Sequence, residues 1–278
     1  MLEEKISALL KQSFSFDDAL SLVKLFVSQN FEELHRNKNT ILNNIENINK
    51  NSLEFIIVNY AAFSQDAIHM LLDAMLRSHD WPLLFNELQE NINEEKGSET
   101  KGIPHLEIMR EGYRKDLGLE VDMQFVKASK VTKRFLDTMR DIFNNDDNAF
   151  SAGALLAFEG TAIEEFYIID LIIKKYFTAI KNNSDKDAQL PESLTKYYID
   201  GHKLFEIGHE AHLIEAIKPY INKTNSQRMI RGYLACSLAL NTWWNQLYVE
   251  ANFNSNYNLI QNFEQQQTSV FKSIFKKR

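Results

Sequence analysis

Residues 202–212 read HKLFEIGHEAH, which places three of the chain's seven histidines and two glutamates within eleven residues. On a helix, Glu206 stands about 40° from His202 and His209 about 20° from it on the other side. His202, Glu206 and His209 therefore form one stripe, H-x3-E-x2-H, along nearly two turns. His212 lies about 80° away and does not converge with it. Two imidazoles and one carboxylate on a common line suit a metal used in oxygen chemistry, which takes mixed nitrogen and oxygen ligands and keeps open positions. The same stripe could equally be a solvated helix face, so further ligands have to come from elsewhere in the chain.

Two other segments supply them. Glu159, in LLAFEGTAIEEF (155–166), interrupts a strongly apolar run. A buried carboxylate without a partner is costly, so Glu159 requires a cation, a hydrogen-bonding group or a metal. Glu164 and Glu165 are weaker candidates, because adjacent acids commonly face water or cap a neighbour. Further upstream, one helical segment ends in Glu94 and Glu95, and His105 opens the next after the break KGSETKGIP (96–104). A helix end and a helix start can bring their side chains together. Glu94 and Glu95 both stand at that helix end, and the choice between them as ligand is open.

These residues need long helices to hold them. Apolar residues recur at three- and four-residue spacing through 16–30, 52–79, 81–95, 105–118, 123–143, 149–181, 194–221 and 226–253. Asn51 or Ser52 is expected to cap the second of these and Asp80 the third, with Pro82 in its first turn. Gly118 is placed to end the fourth. Residues 182–193 read as a loop too short to separate domains. With 9 glycines and 4 prolines in 278 residues, and no alternating strand pattern, the chain reads as a single all-α domain over residues 1–278. Carboxylates and imidazoles drawn from facing helices are how carboxylate-bridged di-iron sites are built in helical bundles.

The order E…H…E…H-x3-(D/E)-x2-H, carried by Glu95, His105, Glu159, His202, Glu206 and His209, resembles the heme-oxygenase-like di-iron (di-metal) oxidase family. That family includes the chlamydial protein associating with death domains, fatty-acid decarboxylases and N-oxygenases of amino acids, and shares its helical bundle with TenA-like proteins. The resemblance spans about residues 50–250. It departs from the family pattern in having Glu206 where Asp is usual. It implies a heme-oxygenase-like/TenA-like bundle, two ferrous ions (or manganese, or a mixed Mn/Fe pair), O2 as co-substrate, and oxidation of a small amine, amino acid or fatty acid. By the same resemblance Glu95, His105 and Glu159 would hold one ion. His202, Glu206 and His209 would hold the other, with Glu159 bridging the pair. Family relatives are commonly dimers, which makes a homodimer the expected assembly, and the final ligand helix is commonly mobile. Gly201 and Gly208 within the 194–221 helix agree with that mobility.

Composition narrows the alternatives. A net charge of −7 with no extended basic face argues against nucleic acid. The basic tail at 272–278 reads as a frayed end. The apolar segment 162–180 carries five charged residues, so it is expected to be a buried helix and not a membrane span. The N-terminus lacks the pattern of a signal peptide, which makes the cytoplasm the simplest location. Cys236, the lone cysteine, sits in an apolar run and is expected to be a core thiol. Its setting disfavours the metal-free alternative, a TenA-like hydrolase of a thiamine-related compound, which would need a nucleophilic thiol. A non-catalytic interaction protein is the third reading. Heme ligation would fall to His35, in a polar stretch expected to be exposed. Trp243 and Trp244 are expected in the core or at an interface, and His69 in the core. Tyr113, Arg114, Phe158 and Tyr198 lie near enough to the ligands in sequence to line a pocket.

Overall fold

A computed structural model describes residues 2–181, 192–252 and 274. The tail at 272–278 lies outside them except for Ile274, as does most of the expected loop at 182–193. The described residues form ten α-helices and no strand: α1 (Leu2–Leu9), α2 (Phe16–Asn30), α3 (Thr40–Asn43), α4 (Lys50–Arg77), α5 (Pro82–Glu95), α6 (His105–Gly112), α7 (Lys130–Phe143), α8 (Asn148–Ile180), α9 (Leu194–Ile217) and α10 (Ser226–Asn252). The all-α, single-domain expectation holds.

Side-chain oxygens set most of the helix starts, each taking up an N–H that the first turn leaves free. Ser15 accepts from Asp18 N, Ser129 from Thr132 N, Asp147 from Ala149 N and Phe150 N, and Ser193 from Lys196 N. Two expected caps are corrected. α4 is capped by Asn49, whose side chain accepts from Ser52 N, and not by Asn51 or Ser52. The residue before α5 is Trp81, which makes no side-chain cap, while Asp80 pairs with His79. The expected helix 123–143 is also shorter than its apolar spacing suggested. Residues 119–129 are held off helix by α4: Gln65 donates to Val121 O and accepts from Met123 N, and Asn59 accepts from Ser129 N.

The core runs continuously through all the long helices and contains Trp243, Trp244 and Cys236. α8 and α10 cross closely enough to require glycine. A Cβ on Gly153 would meet Met229 O at 1.9 Å, and one on Gly232 would meet Phe150 O at 1.8 Å. This crossing seats the middle of α8, and with it Glu159, at the centre of the molecule. Residues 162–180 are largely buried within α8, as expected. α4 alone among the described helices is long and apolar enough to cross a membrane, and 56% of that apolar window is buried inside the protein.

Two devices position the helices that bear the candidate ligands. The break at 96–104 is a tight turn with positive φ at Gly97 (101°), Lys101 (56°) and Gly102 (83°). A Cβ on Gly97 would come within 2.5 Å of Ile103 O. The turn folds α6 back so that its first residue, His105, faces the last residue of α5, Glu95. After α6 the chain makes a π-helical turn over Tyr113–Leu117 and stops at Gly118 in the left-handed region (φ 69°). Gly112 lets the start of α9 approach, since a Cβ there would sit 2.7 Å from Thr195 N. Asp116 accepts from Thr195 N at 2.9 Å and fixes that end of α9.

Candidate metal centre

Glu95, His105 and His202 converge from α5, α6 and α9, with one ligand-type atom of each within 4.8 Å of the others. Glu95 Oε1 lies between the imidazoles, 3.4 Å from His105 Nδ1 and 3.5 Å from His202 Nε2. The two rings meet edge to face at 4.8 Å. His202 Nδ1 lies 2.8 Å from the Tyr198 carbonyl, which can only accept, so Nδ1 donates there and Nε2 is the nitrogen turned to the group. Burial pushes the Glu95 carboxyl up. The hydrogen bonds from His105 and His202 outweigh burial and hold it well below the usual carboxylate range. His105 is 4% exposed, and its Nε2 has no hydrogen-bond partner among the described residues.

Glu159, Glu206 and His209 form a second group from α8 and α9, on the same 4.8 Å criterion. His209 Nδ1 lies 3.4 Å from Glu206 Oε2 and 3.7 Å from Glu159 Oε2. Its other nitrogen, Nε2, donates to Glu94 Oε2 at 2.7 Å. Burial, and then the neighbouring Glu159, push Glu206 well above the usual carboxylate range. Burial lowers His209, but Glu159 and Glu206 overcome it and raise the imidazole to about 12. Glu206 Oε2 is a second buried atom without a hydrogen-bond partner. Two buried carboxylates side by side are stable only if one keeps its proton or compensating positive charge is supplied. In this group a proton on the imidazole can provide it, and so can a metal ion.

Both groups open onto one cavity of about 650 Å³, mouth included, whose other walls are mostly apolar and come from α4 and α8. Phe63, Leu71, Ala162 and Phe166 line it, with the rings of Tyr60 and Tyr198. One more carboxyl lines it. Glu165 is 3% exposed and accepts from Thr161 Oγ1 at 3.0 Å. Burial pushes it up to about 7; the Thr161 bond opposes that rise and Glu159 adds to it.

The model of a domain of unknown function with a solved structure, DUF3865, matches residues 19–250. The chain belongs to this family. Two crystal structures of a CADD-like protein of unknown function from Nostoc punctiforme resemble this DUF3865 chain over nearly their full length. One gives a TM-score of 0.77 at 24% identity, covering 85% of this chain and 98% of the other. The second gives 0.75 at 22%, covering 86% and 97%. At that identity the likeness establishes a shared helical fold. No curated protein matches the chain.

In this DUF3865 chain all six residues singled out from sequence fall into the two groups, partitioned differently from the expectation. His202 stands with Glu95 and His105 instead of with Glu206 and His209, because two turns of α9 separate the ends of the stripe. Glu159 stands with Glu206 and His209 alone. Glu95, and not Glu94, joins the first group, while Glu94 holds the outer nitrogen of His209. Glu164 caps a neighbour, accepting from Arg36 N at 3.0 Å. Glu165, a weaker candidate by sequence, faces the cavity. Phe158 and Tyr198 line it as suggested; Tyr113 is buried and Arg114 is exposed, and neither belongs to its wall. His69 is exposed, contrary to the core placement expected for it, and His35 is half-buried and not exposed. His212 pairs with Glu87 at 3.6 Å, away from both groups.

Proposed function

We propose that the protein is a non-heme di-metal oxidase or oxygenase that uses O2 to oxidise a small molecule held in the cavity, with ferrous iron as the metal, or manganese, or a mixed pair. One observation carries the reading: two groups, each with nitrogen and carboxylate donors, open side by side onto a largely apolar cavity. The donors fit divalent ions. His105 Nε2 and Glu206 Oε2 are buried atoms without partners, and a dication would offset the two buried carboxylates of the second group. The mixed N/O set suits iron or manganese better than the softer thiolate-seeking metals.

Glu95, His105 and His202 would hold one ion, and Glu159, Glu206 and His209 the other. When bound, the ions would supply the electrons and the binding site for O2. The chain's own residues do the positioning. The Tyr198 carbonyl holds His202 Nδ1 and so keeps Nε2 turned to Glu95. Glu94 turns His209 so that Nδ1 faces the carboxylates. The aromatic wall of Phe63, Phe158 and Phe166 limits water beside the groups and packs the body of the substrate. The mobility expected of α9 in the absence of metal belongs to the same proposal.

A TenA-like hydrolytic reaction fits less well. Cys236 is fully buried, and burial, then Glu165 and Glu159, push its thiol well above the usual value. The cytoplasm and a homodimer complete the proposal.

The test is anaerobic loading with ferrous iron followed by oxygen, read by oxygen uptake and visible absorbance. Uptake with a transient band in the wild type, both lost in Glu159→Ala, supports the reading. Identical traces from the two proteins would refute it.

A further inference from the structure

Glu165 is a buried carboxyl in the cavity wall that neither metal group uses. Its hydrogen-bond partner is the neutral hydroxyl of Thr161 on its own helix. Three acids are coupled to it: Glu159 on α8, Tyr60 on α4 and Cys236 on α10. Among the described residues, no lysine, arginine or histidine pairs with it.

The metal groups do not call for this charge. Two divalent ions bring four positive charges. Glu95, Glu159, Glu206 and the Glu94 bound to His209 bring four negative ones. Glu165 is a fifth carboxyl, and it is set among Phe63, Ala162 and Phe166, where an unpaired anion is costly. A buried acid with no cation of its own, on the wall of a cavity, can be matched by a cation that arrives with the ligand.

We infer that the cavity takes an ammonium compound with an apolar body, anchored through its nitrogen on Glu165, and discriminates against carboxylic acids that carry no ammonium group. As a statement about a substrate class this rests on the oxidase reading; as a statement about binding it does not. Within the substrates considered above, it selects amines and amino acids and sets fatty acids aside.

The experiment compares hexylammonium, hexanoate and 1-hexanol by isothermal titration calorimetry. It uses the full chain, both chelator-treated and anaerobically ferrous-loaded, as wild type and as Glu165→Gln. The wild type should bind hexylammonium at least tenfold more tightly than either of the others. The Gln variant should lose at least tenfold for hexylammonium alone. Equal or tighter binding of hexanoate to the chelator-treated wild type overturns the inference, and does so whether or not the variant folds. Unchanged hexylammonium binding in Glu165→Gln overturns it too, including when that variant binds iron more weakly, because the carboxyl would then serve the metals. Failure of iron to bind while the amine preference persists removes the oxidase reading and leaves the anchor standing.

Discussion

His209 Nε2 lies 2.7 Å from Glu94 Oε2, while Glu95, the next residue, turns to His105 and His202. Two adjacent acids at the end of α5 thus serve different groups, one as a candidate ligand and one behind a candidate ligand. Carboxylates that hold the outer nitrogen of a metal-binding histidine fix its ring and its tautomer, and their loss weakens metal binding about 10- to 100-fold. Glu94→Ala should therefore weaken one of two ferrous sites by about that factor and leave the other unchanged. Competition titration with a calibrated chelator reads the two affinities separately.

Metal binding should release protons. In the metal-free protein His209 holds its proton up to about 12, and Glu206 is held protonated above the usual carboxylate range. A metal takes the deprotonated ligands, so affinity at the second group should rise with pH through the neutral range, by up to about tenfold per unit for each proton released. Calorimetry in buffers of differing ionisation enthalpy counts those protons. A pH-independent affinity between 6 and 8 would be inconsistent with these environments.

The turn between α5 and α6 should be intolerant of side chains. Gly97 has φ 101°, and a Cβ there would meet Ile103 O at 2.5 Å. Gly97→Ala should cost roughly 1–3 kcal/mol or more, lowering the melting temperature by several degrees. It should also weaken the Glu95–His105–His202 group selectively, because that turn sets the distance between the first two. Gly102→Ala, where no atom lies within 4 Å, should strain only the backbone and perturb metal binding less.

Glu165 should make the metal-free protein less stable as pH rises. The folded carboxyl releases its proton near 7 and the unfolded one near 4.5. Folding takes up a proton in that window, so stability is full below about 4.5 and falls by roughly 3 kcal/mol on reaching 7. Glu165→Gln should flatten this part of the profile. Denaturant melts of chelator-treated protein at pH 4.5, 6 and 7.5 measure it.

The helices and the His202–Glu206–His209 stripe were legible from spacing, because both depend on periodicity along the chain, while Glu159 stood out as an acid in an apolar run and Glu95 and His105 by the family resemblance. What failed depends on distant partners. Residues 123–129 carry helix-like spacing, yet Gln65 and Asn59 on α4 hold this stretch in another conformation. His202 left its helix neighbours because α6 brings His105 to it, an approach that Gly112 permits. Glu165 was discounted as one of two adjacent acids. Neighbours on a helix point about 100° apart, so Glu164 can reach Arg36 while Glu165 faces the cavity. The signal that could have found it is its place in the apolar run with Ala162 and Phe166.

The most direct test of the account is the number of ferrous ions bound per chain. Anaerobic titration with Mössbauer detection should show two per wild-type chain, with one lost in His105→Ala and the other in Glu206→Ala. No bound iron, or the same stoichiometry in all three proteins, would contradict it.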